Sequence, residues 1–387
     1  MLFVLLFACN PDAPPATIPS TEIALGELRT VVPAAPIPSS VSVQTSNNNL
    51  DVVDHTDGRL YFAFRTGPSH FASDAVQLIV LSSGDDGDSW KTELVIDRDT
   101  DLREPRFLSL DGRLILHYAV LGTNPLDFEP QGTMRTVLEE GEWQTPHWVF
   151  DDGFIPWRTR VVDGQPTMIG YTGGDAIYDQ GDAVLPALEV RWLESNDGLD
   201  WTGDTVWVGG ASETDFTHTS TALVAVMRNE AGDEDGFGSK VCRADLDAPT
   251  DWECIHDCRK FDSPLMFTHD DEAWLIARRN LNDDGCFDLG LDPKEYGHTE
   301  RFTRYSAAYW QHPKRCTVWH VNAVTLAVTP VVDLPSAGDT CFPSILDRAG
   351  GYEVWNYTSD PTRPSTPWLE GQQSPTVITR QRMRFVQ

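Results

Sequence analysis

The chain has 387 residues, of which 40% are hydrophobic and 10% aromatic, so it can build one large domain or two smaller ones. Its formal net charge of −30 argues against nucleic acid or an anionic membrane surface as a partner, because both attract basic proteins. Thirteen Trp, 29 Gly and 26 Pro favour many short strands and turns. Only five of the 29 basic residues are Lys; the rest are Arg, whose fork of donors suits carboxylate anions.

The N-terminus is an apolar run, Met1 to Cys9, that ends in Leu-Phe-Ala-Cys and resembles a bacterial lipoprotein signal with lipidation at Cys9. It is too short to span a bilayer and lacks a charged first region, so a plain secretory signal is the alternative. Residues 10–43 are rich in Pro, Ala, Ser and Thr and predict a tether without a core. We therefore expect an exported protein of the cell envelope or extracellular space, attached to a membrane only through lipid.

From residue 44 to 387 the chain repeats a unit of about fifty residues, which predicts a single domain. Each unit has a short opening segment, a polar turn such as Asp57-Gly58 or Asp111-Gly112, and an apolar run. Most units continue with a third and a fourth strand, and no segment has a convincing amphipathic helix pattern. The sequence thus predicts an all-β, six-bladed β-propeller with four-stranded antiparallel blades, closed by an N-terminal strand. Five blades is the alternative count.

One turn carries a specific signature, Ser83-Gly-Asp-Asp-Gly-Asp-Ser-Trp90. Asp85 can accept hydrogen bonds from backbone N–H groups of its own turn, and Gly87 can adopt a positive φ. The pattern Ser-x-Asp-x-Gly-x-Ser-Trp resembles the Asp-box of sialidases and other β-propellers. A shorter relative ends at Trp201, with Asn196 aligned to Asp85. Such turns brace a blade, so we expect Asp85 to be structural.

Charged residues recur where first strands begin and second strands end, and these positions share one rim of a propeller. They include Arg65, Arg103, Glu104, Glu213, Arg228, Arg278, Arg279, Asp339 and Tyr357. Arg forks can hold a carboxylate while acids transfer protons, so this rim predicts a site for an anionic sugar. The alternative is that these charges pair with one another and join the blades.

The same rim resembles the active site of sialidases. In that family an early hairpin ends in a substrate-binding Arg, which corresponds to Arg65. A Glu at a later blade start is followed by a second Arg, as Glu213 is by Arg228. A third Arg corresponds to Arg315, and the general acid, in the loop after the first hairpin, corresponds to Asp74.

The resemblance is incomplete at the nucleophile. Sialidases use a Tyr activated by the Glu. The position that the resemblance assigns to this Tyr is occupied by Phe342, which has no nucleophilic atom. Tyr357, at the end of the next strand, is the remaining candidate on the same rim.

We therefore expect an exo-type glycoside hydrolase or a related carbohydrate-active enzyme that acts on an anionic glycan. The candidate catalytic residues are Glu213, Glu104, Asp339, Tyr357 and Asp74. The candidate substrate-binding residues are Arg65, Arg103, Arg228, Arg279 and Arg315. The alternatives are a non-catalytic glycan-binding or adhesion propeller without the nucleophile, and a purely structural lipoprotein. We expect a monomer.

Two further patterns concern cross-links and metals. The six cysteines other than Cys9 are Cys242, Cys254, Cys258, Cys286, Cys316 and Cys341. An even number in an exported chain predicts three disulfides, among fifteen pairings. The run Asn280-x-Asn282-x-Asp284-Gly-x-x-Asp288 resembles the ligand spacing of Ca²⁺ loops. Calcium is therefore a candidate ligand, although the predicted chemistry requires no cofactor.

Overall fold

The computed structural model describes residues 22–34, 37–178, 181 and 185–386, and the predicted signal with Cys9 lies outside them. Within these residues, 26 strands form six antiparallel sheets, each of four or five strands. The sheets are the blades of a six-bladed β-propeller, which confirms the predicted architecture and excludes five blades. No helix of the described residues is long and apolar enough to cross a bilayer.

The blades follow one another along the chain. Two short strands come first, β1 (Glu22–Leu25) and β2 (Arg29–Val32). Blade one contains β3 (Ser46–Asp54), β4 (Leu60–Gly67), β5 (Gln77–Ser83) and β6 (Lys91–Asp97). Blade two contains β7 (Leu102–Leu110), β8 (Arg113–Leu121), β9 (Pro130–Glu139), β10 (Glu142–Trp143) and β11 (His147–Phe150). Blade three contains β12 (Ile155–Val162), β13 (Gln165–Thr172), β14 (Leu188–Glu194) and β15 (Thr202–Gly209), with the 3-10 helix Gly174–Ile177 after β13.

The second half continues the pattern. Blade four contains β16 (Thr214–His218), β17 (Leu223–Asp233), β18 (Gly236–Ala244) and β19 (Glu253–Asp257). Blade five contains β20 (Leu265–His269), β21 (Glu272–Asn280), β22 (Lys314–Val321) and β23 (Val328–Leu334), with helix α1 (His298–Gln311) between β21 and β22. Blade six contains β24 (Ser344–Arg348), β25 (Gly351–Thr358) and β26 (Val377–Val386), with helix α2 (Trp368–Gln372) before β26.

The ring is closed by β1 and β2, which both pair with β26 in blade six. Glu22 lies opposite Val386 at one end of this pairing, and Val32 is fully buried. The predicted tether of residues 10–43 therefore needs correction, because residues 22–32 belong to the propeller. The physical reason is that β26 would otherwise present an unpaired edge.

The second strand of each blade is apolar because it is covered on both faces. In β4, Phe62 and Phe64 pack in one cluster with Trp355 of blade six, whereas Tyr61 and Ala63 pack in another with blade two. Successive side chains of a strand point to opposite faces, so each inner strand contacts both neighbouring blades. Each large side chain buried in this way contributes about 1.5–3 kcal/mol.

Helix α1 was not predicted, although its buried side chains follow a helical period. His298, Phe302, Tyr305 and Tyr309 are buried, spaced three or four residues apart. They pack with Phe237 of β18 and with Phe287 of the insertion after β21. The apolar face is short and made of aromatic rings with polar atoms, which is why the pattern escaped recognition.

The signature turn after β5 is held by its own polar side chains. The Ser89 hydroxyl and backbone N–H donate to the Asp85 carboxylate at 2.6 and 2.8 Å, and Gly87 N–H donates to Ser83 Oγ at 2.8 Å. These bonds lower the pKa of Asp85 to about 2. Trp90 packs on Phe62, with ring centroids 5.6 Å apart. The turn therefore braces blade one.

The shorter turn of blade three is built in the same way, with a different alignment from the expected one. Ser195 Oγ accepts from Gly198 N–H at 2.9 Å, and Asp197 Oδ1 accepts from Leu199 N–H at 2.9 Å. Asp197, and not Asn196, thus corresponds to Asp85.

Three disulfides cross-link the second half, as predicted, and the structure specifies their pairing. Cys242–Cys254 joins β18 to β19, and Cys258–Cys286 ties the end of blade four to the insertion after β21. Cys316–Cys341 connects blade five to blade six.

Candidate functional site

One rim of the ring surrounds a cavity of about 580 Å³, within the range of small-molecule sites. Its walls are connections between second and third strands, and they carry aromatic side chains. These are Phe71 after β4, Phe128 after β8, Tyr178 after β13, Trp310 in α1 and Trp368 in α2. Charged residues from the strands line the interior. The cavity therefore combines apolar ring faces with ionised groups.

Glu213 and Arg228 meet in the cavity wall of blade four. Glu213 precedes β16, and its Oε1 lies 2.7 Å from Nη1 of Arg228, in the middle of β17. Its Oε2 accepts from Ser263 N–H at 2.7 Å. Burial raises the pKa of Glu213 to about 7, even though Arg228 acts in the opposite direction. Glu213 can therefore gain or lose a proton near neutral pH.

The other cations of the cavity are paired with carboxylates as well. Arg278 Nη1 lies 3.0 Å from Asp262, and Lys260 Nζ lies 2.6 Å from Glu230. Burial opposes ionisation of Asp262, but Lys260 and Arg278 outweigh it and lower its pKa to about 2. Arg228 also lies 3.4 Å from Glu230. These pairs connect strands within a blade, and Arg228 of blade four also lies 3.8 Å from Asp262 at the opening of blade five, as the alternative interpretation of the rim expected.

Two cavity arginines keep donors that no described protein group binds. Arg228 donates through Nε to Ser212 Oγ at 2.9 Å and contacts carboxylates through Nη1. Arg103 donates through Nε to Asp101 at 2.7 Å and through Nη2 to the His70 carbonyl at 2.9 Å. In the described part of the chain, Nη2 of Arg228 and Nη1 of Arg103 have no hydrogen-bond acceptor. These groups are available to an acceptor in the cavity.

Asp339 contacts the side chains of two cavity residues, Tyr357 and His70. It is fully buried, accepts from the Tyr357 hydroxyl at 2.8 Å, and lies 2.7 Å from Nδ1 of His70. Burial opposes its ionisation, but His70 and Arg278 outweigh this effect and lower the pKa of Asp339. Burial and the Asp339 charge raise the pKa of Tyr357 well above its usual value. Tyr357 is therefore a neutral donor, which is unfavourable for a nucleophile.

The backbone around Glu104 is irregular in a way that presents its side chain to the cavity. Glu104 has a φ of +49° and lies where the pairing of β7 with β8 shifts register. Its Oε2 accepts from Asn49 Nδ2 at 2.9 Å. A non-glycine residue with positive φ costs of order 1–3 kcal/mol and is common at functional sites.

Several solved structures share this arrangement of blades with the chain, at low sequence identity. An unknown-function protein from Dyadobacter fermentans matches with a TM-score of 0.62 and 14% identity, over 94% of this chain and 99% of that chain. Trypanosoma rangeli sialidase in complex with sialic acid matches with a TM-score of 0.59 and 13% identity, over 94% of this chain. The fold is that of the sialidase propellers.

The likeness to sialidases is confined to the fold. The chain spans 59% of the length of the Trypanosoma rangeli sialidase. Phage phi92 endosialidase matches with a TM-score of 0.52 and 10% identity, over 94% of this chain and 69% of its own. No protein-family model and no curated protein sequence matches the chain.

Arg65 lies behind the cavity and is not among the residues that line it. Its side chain is fully buried, with Nε 2.8 Å from Asp101 and Nη1 and Nη2 donating to the carbonyls of Ser69 and Phe71. Arg65 thus fixes the loop of residues 68–76. Arg103 shares Asp101 and lines the cavity instead.

Arg279 and Arg315 lie opposite each other in β21 and β22, outside the cavity lining. Arg279 pairs with Asp333 through Nη2 at 2.5 Å, and Arg315 donates to the Pro364 carbonyl at 3.0 Å. Side chains alternate along a strand, so the cavity residue of β21 is Arg278.

The resemblance assigned Asp74 the role of general acid. Its side chain is exposed and does not line the cavity. Its nearest hydrogen-bonding partner is the Ser73 hydroxyl, at 3.5 Å. His70, four residues earlier in the same loop, lines the cavity.

The candidate calcium ligands do not converge on one point. Asn280 Oδ1 accepts from Lys314 Nζ at 2.9 Å, and a cation there competes with a metal ion. The Asn282 amide donates to the Cys286 carbonyl, Asp284 accepts from Cys286 N–H, and Asp288 accepts from Phe237 N–H. Among the described residues, no group of three or more His, Cys, Asp or Glu side chains is arranged to hold a metal ion. These residues shape the insertion after β21.

Several cavity residues were missed from the sequence, chiefly His70, Lys260, Trp310 and Trp368. A usable signal was the length of the segments that interrupt the repeat. Residues 281–313 and 359–376 separate second from third strands and contain both Trp residues. Insertions on a propeller rim build binding sites there.

Proposed function

We propose that the protein is a glycoside hydrolase that binds an anionic sugar in the cavity. The observation that carries this proposal is Glu213, a carboxyl with a pKa raised to about 7 at the cavity wall, in contact with Arg228. Such a group can accept or donate a proton at neutral pH. The unused donors of Arg228 and Arg103 suit a sugar carboxylate, because Arg binds carboxylates in a planar, directional way.

The shape of the site supports a carbohydrate ligand. Trp310, Trp368 and Tyr178 offer ring faces at the mouth, and ionised groups lie deeper. An adjoining cleft of about 1040 Å³ shares the loop of residues 122–129 with the cavity and leaves room for the rest of a glycan. The three disulfides fit an oxidising compartment, where extracellular glycans are encountered.

The test is turnover of fluorogenic glycosides by the purified protein. We expect hydrolysis of a sialoside or a glucuronide and none of a neutral galactoside. Glu213→Gln keeps the size of the side chain and removes the titrating proton, so kcat falls by about 10²–10⁴-fold. His320→Gln is the matched control, because His320 contacts Glu272 at 2.9 Å outside the cavity. Failure to hydrolyse either acidic glycoside contradicts the proposal.

A non-catalytic glycan-binding propeller is the second candidate. It is favoured by Phe342 in the cavity lining and by Tyr357, whose hydroxyl is committed to Asp339. This candidate predicts saturable binding of an acidic glycan without turnover. Arg103→Gln weakens that binding, and Asp101 keeps Arg65 as its partner in this variant. Calorimetric titration with the acidic glycan measures the loss.

A further inference from the structure

His70 is held in the cavity wall by contacts from two neighbouring blades. Its backbone N–H donates to the Gln372 carbonyl of blade six at 3.4 Å, and its carbonyl accepts from Arg103 of blade two at 2.9 Å. Its ring lies edge-on to Trp368, with centroids 6.5 Å apart. The residue itself belongs to the loop of blade one. An exposed loop residue without a role does not require such fixation.

The partner of its ring determines which nitrogen carries a proton. The pKa of Asp339 is lowered, so this carboxylate is ionised at neutral pH and can only accept hydrogen bonds. His70 Nδ1 lies 2.7 Å from Asp339 Oδ2 and must therefore be the donor. The other nitrogen, Nε2, has no hydrogen-bond partner in the described part of the chain, and 18% of the side chain is exposed. Nε2 is thus the atom that can exchange a proton with a ligand.

We infer that His70 is a catalytic residue that donates the proton to the leaving group, and that Asp339 is its positioning residue. The inference rests on the proposed function. An ionised carboxylate behind an imidazole stabilises the imidazolium and fixes its orientation. Blade one, which carries His70, stands opposite blade four, which carries Glu213, in a ring of six. The two groups therefore approach a bound sugar from different sides.

The step balances as an ordinary hydrolysis. The proton on His70 Nε2 passes to the glycosidic oxygen as the bond between that oxygen and the anomeric carbon breaks. The leaving group departs as a neutral alcohol that keeps the bonding electrons. A water oxygen bonds to the anomeric carbon, and the proton of that water passes to Glu213. Exchange with solvent returns a proton to His70 and removes one from Glu213.

Charged groups surround His70, and Glu213 sets the expected pH dependence of turnover. Asp339 and the Tyr357 hydroxyl lie behind the His70 ring, Arg103 holds its carbonyl, and Arg278 acts on Asp339. Turnover falls below about pH 7, where Glu213 becomes protonated and stops acting as the base.

The test compares His70→Asn with wild type on two glycosides of the same acidic sugar. Asn keeps an N–H donor for Asp339 and lacks Nε2. On an alkyl glycoside, whose leaving group needs a proton, kcat falls by about 10²–10⁴-fold. On a dinitrophenyl glycoside, whose leaving group departs unprotonated, kcat falls by less than about tenfold. His320→Gln serves as the control, and melting temperatures show that the variants fold.

Each outcome of this test either supports or excludes His70 as the proton donor. Equal losses on the two glycosides, or no loss on either, overturn the inference and leave the proposed function standing. Asp339→Asn guards against an effect specific to one substitution. It keeps the size of the side chain and removes the charge that orients the His70 ring, so kcat on the alkyl glycoside falls by more than kcat on the dinitrophenyl glycoside. Wild-type protein without turnover on both glycosides overturns the proposed function and this inference together.

Discussion

The turn rim, which carries the hairpin turns and the turns of Asp85 and Asp197, and the cavity rim both hold many carboxylates. On the turn rim Asp85 and Asp197 accept hydrogen bonds from residues within four positions of them, and the pKa values of both are lowered. On the cavity rim Glu213, Asp262 and Asp339 are buried and contact cations or His from other strands and blades. Local hydrogen bonds therefore stabilise one rim, and long-range charge pairs organise the other.

The connections between strands also differ in length between the two rims. The hairpins of the turn rim contain two to eight residues, whereas residues 281–313 connect two strands on the cavity rim. Short turns leave no room for a binding site, and long insertions supply walls and aromatic side chains. The cavity therefore lies on the rim with the long connections.

The largest effect is expected from breaking a charge pair of the cavity rim. Arg228→Met leaves Glu213 and Glu230 buried without this cation, so the free energy of unfolding falls by about 3–5 kcal/mol. Denaturant titration measures the change. Arg304→Met, which removes an exposed pair with Glu300 in α1, is the control and changes stability by less than about 1 kcal/mol. Equal effects of the two substitutions would contradict the contrast between buried and exposed pairs.

A smaller effect is expected from straining the turn rim. Gly87 has a φ of +81°, so Gly87→Ala lowers the free energy of unfolding by about 1–2 kcal/mol. Gly84→Ala is the matched control in the same turn, because Gly84 lacks a positive φ and has open space around it. Thermal unfolding measures both. A loss for Gly84→Ala as large as that for Gly87→Ala would show that strain at φ is not the cause.

The smallest expected effect is the direction in which each rim's contribution to stability changes with pH. The pKa of Asp85 is lowered to about 2, so its contribution to stability is lost as pH falls through that value. The pKa of Glu213 is raised to about 7, so its contribution is present at low pH and is lost as pH rises to about 7. The melting-temperature differences between wild type and Asp85→Asn or Glu213→Gln should therefore change in opposite directions with rising pH. Parallel changes would refute the assignment.

The same contrast explains what the sequence could predict. Turn signatures and strand alternation are local, so the six blades and the role of Asp85 were predictable. Glu213 and Arg228 were predictable because both lie at strand ends of one blade. Arg279 was named as a substrate-binding residue in place of Arg278. Neighbouring residues of β21 point to opposite faces of the sheet, so an error of one residue selected the wrong side chain. Burial of Arg65 depends on Asp101 of the next blade, which no local pattern reveals.

The closure of blade six by β1 and β2 determines when the site is completed. These strands are synthesised first, and their partner β26 is synthesised last. Pairing between distant parts of a chain is slow to form. The contact between His70 of blade one and Asp339 of blade six crosses the same seam. A partly synthesised or partly folded chain therefore lacks a finished cavity, which is complete only after the two ends of the propeller have joined.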